Sequence, residues 1–394
     1  MAQAIISRKG GGGGGYATIT FDNFTAGILH LQATDLSLGR SYLAATTVGD
    51  YALFGGGYGG NAYLSTVDAY NTSLTRSTPT ALSVARYRLA ATTVGDYALF
   101  GGGDGSNRLS TVDAYNTSLT RSTPTALSTA RSELAATTVG DYALFGGGYG
   151  SSHFSTVDAY NTSLTRSTPT ALSVGREQLA ATTVGDYALF GGGYDSSSTV
   201  DAYNTSLTRS TPTALSVPRS VLAATTVGDY ALFGGGYGSS TYLSTVDAYN
   251  TSLTRSTPTA LSVPRSVLAA TTVGNYALFG GGTRFSTDGE IILATVDAYN
   301  TNLTRSTPTA LSVARARLAA KTVGNYALFG GGSGGSFSST TVDVYYLNNQ
   351  VLVYPGTKYK LGSMTDEATS DSMQMITTTA PITGYIKIKD ATIN

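Results

Sequence analysis

Two histidines and one asymmetric carboxylate pair are the side chains of this sequence best suited to acid-base or metal chemistry. His30 and His153 lie far apart and at unmatched places in an internal repeat, which argues against a catalytic or metal-binding pair. Asp288 and Glu290 stand in the longest variable loop, "TRFSTDGEIILA", without a base or metal partner beside them. An aspartate and an arginine instead recur with the repeat, as Asp68, Asp113, Asp158 and their copies, and as Arg40, Arg86, Arg131, Arg176, Arg219, Arg265 and Arg315. Enzyme sites normally break symmetry, so charges that return in every copy read as packing pairs. The triple glycines imitate phosphate-binding loops but lack the Lys-Ser/Thr and the following helix. With no cysteine, disulfides, thiolate metal sites and a Cys nucleophile are excluded. The expectation is a protein that is not an enzyme and uses no metal or cofactor.

Non-covalent recognition has more residues behind it. Between a run of glycines and "TVD", the copies read "YGGNAYLS", "DGSNRLS", "YGSSHFS", "YDSSS", "YGSSTYLS", "TRFSTDGEIILA" and "SGGSFSST". A second variable pair follows the repeated arginine, from Ser41-Tyr42 through Tyr87-Arg88, Ser132-Glu133 and Glu177-Gln178 to Ala316-Arg317. By contrast, "TVDAYNTSLTRSTPTALS" occurs six times with a single changed position, Asn302. Tyr58, Tyr63, Tyr149, Phe154, Tyr194, Tyr237 and Tyr242 stand among Ser, Gly and Asn. Antibody loops use that mixture for rigid aromatic contact with adaptable hydrogen bonding, and aromatic faces also suit sugar rings. With Tyr87, Arg88, Arg108, Glu133, His153, Glu177, Arg284, Phe285 and Arg317, they form the candidate binding set. The charges carry both signs, so no polyanion is implicated.

These residues need a scaffold, and the repeat supplies one. Copies of "LAATTVGDYALFGGG" begin at Leu43, Leu89, Leu134, Leu179, Leu222, Leu268 and Leu318, spaced 43 to 50 residues apart, the range of propeller blades. Thr, Val, Tyr, Ser and Gly dominate, with turn residues at short intervals, which favours four short strands per copy over any helix. In the first copy, strands are predicted at 43–48, 51–56, 66–70 and within 73–82, with turns at Gly49-Asp50 and Asn71-Thr72. One such sheet cannot bury both faces, but seven stacked radially can, with Ala44, Ala45 and the glycines allowing close approach. In a meander the two variable segments emerge on one face and the uniform turns on the other. Unconstrained loops drift, yet the equally polar "NTSLTRSTPT" hardly changes, which favours diversification for binding.

The paired glycines ending strand two, Tyr70 about fourteen residues later and Arg86 shortly before the next first strand resemble kelch repeats, over residues 18 to 354. The resemblance implies an all-β, seven-bladed kelch-type β-propeller with a short β-rich C-terminal extension. Kelch repeats usually carry Trp in strand four; this chain has no Trp and places Arg76 and its copies near that spot, which leaves the packing of that strand open. Residues 20–45 align without gaps to 66–91, so that His30 replaces the strand-four arginine. Residues 341–354 also read as an outer strand pair, one pair more than seven blades require, and the N-terminal segment is expected to help complete the last blade.

Composition agrees with a folded protein: 41% of the 394 residues are hydrophobic and 12% charged. Lys+Arg and Asp+Glu balance at 24 each, which removes the footprint of nucleic-acid or membrane-surface binding. No apolar run suits a membrane span or signal peptide, so cytoplasmic synthesis without export signal is expected. Without that signal, Asn71-Thr72-Ser73 reads as a turn and not a glycosylation site. Residues 1–17, with Gly10 to Gly15, read as a flexible leader, and 355–394, ending in "PITGYIKIKDATIN", as a β-rich tail or attachment module. Near-identical repeats, short leader and small tail together resemble kelch-bearing tail-fibre or receptor-binding proteins of phages and prophages. That layout implies a host cell-surface protein or glycan as partner, contact with other virion or tail proteins through the leader or tail, and a place on the virion or outside the cell after lysis. The alternatives are a cytoplasmic kelch adaptor or scaffold and a propeller glycosidase.

Overall fold

The computed structural model describes residues 27–347 except 195, 196, 288 and 336, together with 350–351 and 376–377. Each repeat folds as one four-stranded sheet, and there are seven. In the first, buried Ala44, Thr46 and Val48 alternate with half-buried Ala45 and Thr47 to give the inner strand Ala44–Val48. Val48 pairs with Tyr51, leaving Gly49-Asp50 as a two-residue turn with φ +50° at the glycine, where a side chain would be strained. Tyr51–Gly55 then pairs with Val67–Asn71, and Arg76–Ser77 forms the outer edge. The first three strands match the sequence expectation to within a residue. The fourth is only two residues long because the Asn71 side-chain oxygen accepts the amides of Ser73 and Thr75 at 3.0 and 2.9 Å, winding the approach into a turn.

The core lies between blades. Val48, Leu53 and Val67 of the first blade pack with Leu89, Ala98, Phe100 and Tyr115 of the second. Gly55 permits this approach, since a Cβ there would lie 2.7 Å from the Phe100 ring. The same contact passes from blade to blade until Gly330 meets Phe54, which closes the circle. Within a blade, Phe54 meets Tyr70 edge-on at 5.9 Å, and the Tyr70 hydroxyl donates to the Thr34 carbonyl at 2.7 Å.

The recurring charges are structural. Arg40 and Asp68 are both fully buried, 2.7 Å apart, and Arg40 also donates to the Phe54 carbonyl. Arg76 approaches the other Asp68 oxygen at 3.1 Å, and the Ser37 hydroxyl donates to the same carboxylate. One aspartate thereby ties the incoming connection, the third strand and the fourth strand together, and Arg76 holds the fourth strand to it. Burial lowers the pKa of Arg40 and its copies, with the aspartate opposing that shift.

Ring closure settles the surplus outer pair. Ile28–Gln32 is the outer strand of the seventh sheet, beside Val342–Leu347. His30 Nε2 lies 2.6 Å from Asp343, in the place Arg76 takes toward Asp68. Residues 341–354 are therefore not an outer pair: Val342–Leu347 is the third strand of its blade, and Gln350–Val351 pairs with Ile376–Thr377. The ring forms a compact unit of its own, Leu29–Tyr346. The leader (1–17), residues 18–26 and the "YIKIK" strand expected at 385–389 lie outside the described residues.

Candidate functional site

The two variable segments of a blade are bonded to each other. The Ser41 amide donates to the Tyr58 carbonyl at 2.9 Å and the Tyr58 amide returns to Ser41 at 2.8 Å. Reciprocal bridges join Tyr87 to Asp104, Ser132 to Tyr149, Ser220 to Tyr237, Ser266 to Thr283 and Ala316 to Ser333. In the fourth blade, Tyr194 donates to Glu177 at 2.7 Å. The segments that differ most in length and chemistry thus lie on one face, where they touch.

The second residue of each variable pair, already noted as variable, takes a backbone conformation that sequence inspection missed. Tyr42, Arg88, Glu133, Gln178, Val221, Val267 and Arg317 all have φ between 52° and 59°. Each donates its amide to the carbonyl of its counterpart in the preceding blade, and Tyr42 donates to Arg317, so seven backbone bonds of 2.9–3.1 Å close into a hoop. The hoop lies directly before the inner strands, whose residues line the central channel. Left-handed backbone costs a non-glycine residue roughly 1–2 kcal/mol and is a marked outlier for β-branched Val221 and Val267. The uniform turns on the other face hold Leu74, Leu119, Leu164, Leu207, Leu253 and Leu303 in the same left-handed region, so the conformation belongs to the scaffold. It left no trace in the sequence because neither Gly nor Asn occupies the positions.

Side chains on the hoop form one polar chain. The Arg317 Nε donates to the Tyr42 hydroxyl at 2.6 Å, Arg88 lies over the Tyr42 ring at 5.2 Å, and Arg88 pairs with Glu133 at 3.0 Å. Gln178 donates to the other Glu133 oxygen at 2.9 Å, and Glu290 approaches Arg317 at 3.6 Å. Val221 and Val267 complete the circle as an apolar arc. Asp288, the other member of the expected carboxylate pair, lies outside the described residues.

The remaining candidates fall into three aromatic groups. Tyr63 and Tyr87 stack at 5.3 Å and 9°, with Tyr58 5.8 Å from Tyr87. Arg108 lies 4.5 Å over Tyr149, which meets His153, which in turn meets Tyr194 at 5.1 Å. Tyr242 lies between Tyr237 at 5.1 Å and Phe285 at 6.2 Å. Tyr63, Tyr194, Tyr237 and Phe285 are exposed. Phe154 differs, being half-buried and folded against Gly150, where a Cβ would lie 2.3 Å from its ring. Arg284 is likewise half-buried. Glu177 is buried 3.7 Å from His153, and burial, then the nearby Glu133, push its carboxyl pKa up.

The uniform face has a packing reason for its uniformity. Gly49 sits against Thr117 of the next blade, where a Cβ would be 3.2 Å from the threonine methyl, and Gly95 meets Thr162 in the same way. The Gly-Asp and Asn-Thr turns interlock around the ring, so the contrast between faces does not by itself argue for recognition. What sets the variable face apart is its varied hoop side chains and its aromatic groups.

Among the described residues no group of three His, Cys, Asp or Glu is placed to hold a metal ion, and no helix is long and apolar enough to cross a membrane. The face offers stacking surfaces, hydrogen-bond donors and acceptors, and charges of both signs. No family model and no curated protein sequence matches this chain. In fold it is similar to a solved structure described as "Structure of YjhT", with a TM-score of 0.53 and 12% identity over 79% of this chain and 95% of that one. At that identity the likeness concerns architecture, and together with the seven sheets it makes this chain an all-β, seven-bladed β-propeller.

Proposed function

We propose that this propeller is a binding protein that engages a host cell-surface protein or carbohydrate through its variable face, as a receptor-binding component of a phage or prophage tail. The observation that carries the reading is the hoop: seven varied side chains held in left-handed backbone at the centre of the face on which the loops differ. A rigid ring presenting Tyr63, Tyr87, Tyr149, His153, Tyr194, Tyr237, Tyr242 and Phe285 loses little entropy when it binds. The kelch-like spacing and the tail-fibre layout support the same reading. So does the position of Ile28 and Leu347 at the end of the seventh blade away from the variable loops. Attachment to other virion proteins through the leader or tail would then point the variable face outward.

The test compares binding to intact bacterial cells and a glycan panel by the native protein and a variant whose residues 58–65, 149–155 and 237–244 are replaced by Gly/Ser loops of equal length. The expected result is loss of binding, at least about tenfold, in a variant that still melts cooperatively. Equal binding by both proteins would overturn the assignment to this face.

A further inference from the structure

The inner strand reads "AATTV" in six blades and "AAKTV" in the seventh, where Lys321 replaces threonine. It is the single lysine between residues 27 and 347. In the other blades the threonine at this place belongs to a hydroxyl relay. Thr46 bonds Thr93 across the first junction, and five equivalent pairs follow at 2.8–2.9 Å. The second hydroxyl of each pair spends its proton on a backbone carbonyl, as Thr93 does on Thr47, so the first must donate to the second.

At the seventh junction the relay is broken. Lys321 stands where the repeat elsewhere puts the threonine that donates across the junction, and the Thr47 hydroxyl reaches the Thr322 carbonyl at 3.3 Å, longer than its six counterparts. Lys321 lines a channel of about 370 Å³ whose other walls are alanine and threonine, with no carboxylate among them. Among the described residues nothing offers it a counter-charge, and burial alone lowers its pKa. Lys321 is half-buried at the channel wall, where a cation partly drawn from water without a partner is disfavoured, and an anion that enters the channel lessens that cost.

We propose that the central channel is an anion-binding site, in which the Lys321 ammonium pairs with a small carboxylate or inorganic oxyanion. Each anion bound favours the protonated amine, so affinity falls as pH rises through the depressed lysine pKa.

The experiment titrates the full-length protein, labelled with carbon-13 at the lysine ε position, with sodium acetate and separately with inorganic phosphate. The Lys321 resonance is identified by its absence in Lys321→Thr, a variant that also completes the relay. The expected result is a saturable shift of that resonance with a rise in its pKa, matched by a saturable rise in melting temperature that Lys321→Met lacks. Response to acetate alone identifies a carboxylate ligand, and response to phosphate alone an oxyanion. A resonance unmoved by either anion, or the same thermal response in Lys321→Met, would overturn the proposal.

Discussion

Asp158 takes the guanidinium of Arg131 at 2.8 Å, that of Arg166 at 3.2 Å, and the amide and hydroxyl of Ser128, all without exposure of its own carboxylate. A carboxylate this far from water is held only by its full set of donors, and the arginine facing it is equally dependent. Asp158→Ala therefore strands Arg131 in the core and is expected to destabilise the ring by about 3–5 kcal/mol, measured by denaturant or thermal unfolding. A change within about 0.5 kcal/mol would mean that water replaces the missing carboxylate. These pairs were legible in the sequence because they recur, and the place of His30 was legible because it stands in register with Arg76. Lys321 was not. One Thr-to-Lys change in a repeat is unremarkable until the inner strands are known to face a shared channel.

At the scale of elements, hydrophobic alternation and paired turn residues specified three strands of each blade, because burial and hairpin geometry act on neighbours in sequence. The hoop escaped notice because its bonds join residues that lie 43 to 50 positions apart, or 275 at the closure between Tyr42 and Arg317. The interlocking of uniform turns was hidden for the same reason. If the hoop is held by its backbone, Val221→Gly keeps its bonds and relieves the left-handed strain. The expected gain is about 0.5–1 kcal/mol, after glycine's greater freedom in the unfolded chain is set against the relief. Differential scanning calorimetry reads the result, and a loss of stability would show that the Val221 side chain matters more than its backbone.

For the whole molecule, the decisive element is the strand contributed from the other end of the ring. Deleting residues 1–32 leaves the seventh blade with three strands and Asp343 without His30, so the ring is expected to melt at lower temperature. Amide exchange should then rise first in Tyr326–Gly330 and Val342–Leu347, and a synthetic peptide spanning residues 27–38 should restore protection when added in trans. Unchanged melting would show that the Gly330 and Phe54 contact suffices to close the circle. Ile28 and Leu347 also leave the same edge side by side, and that adjacency fixes how the ring responds to mechanical force. Tension applied between them does not pull on all the bonds of the closing pair at once but opens them one after another, like a zip.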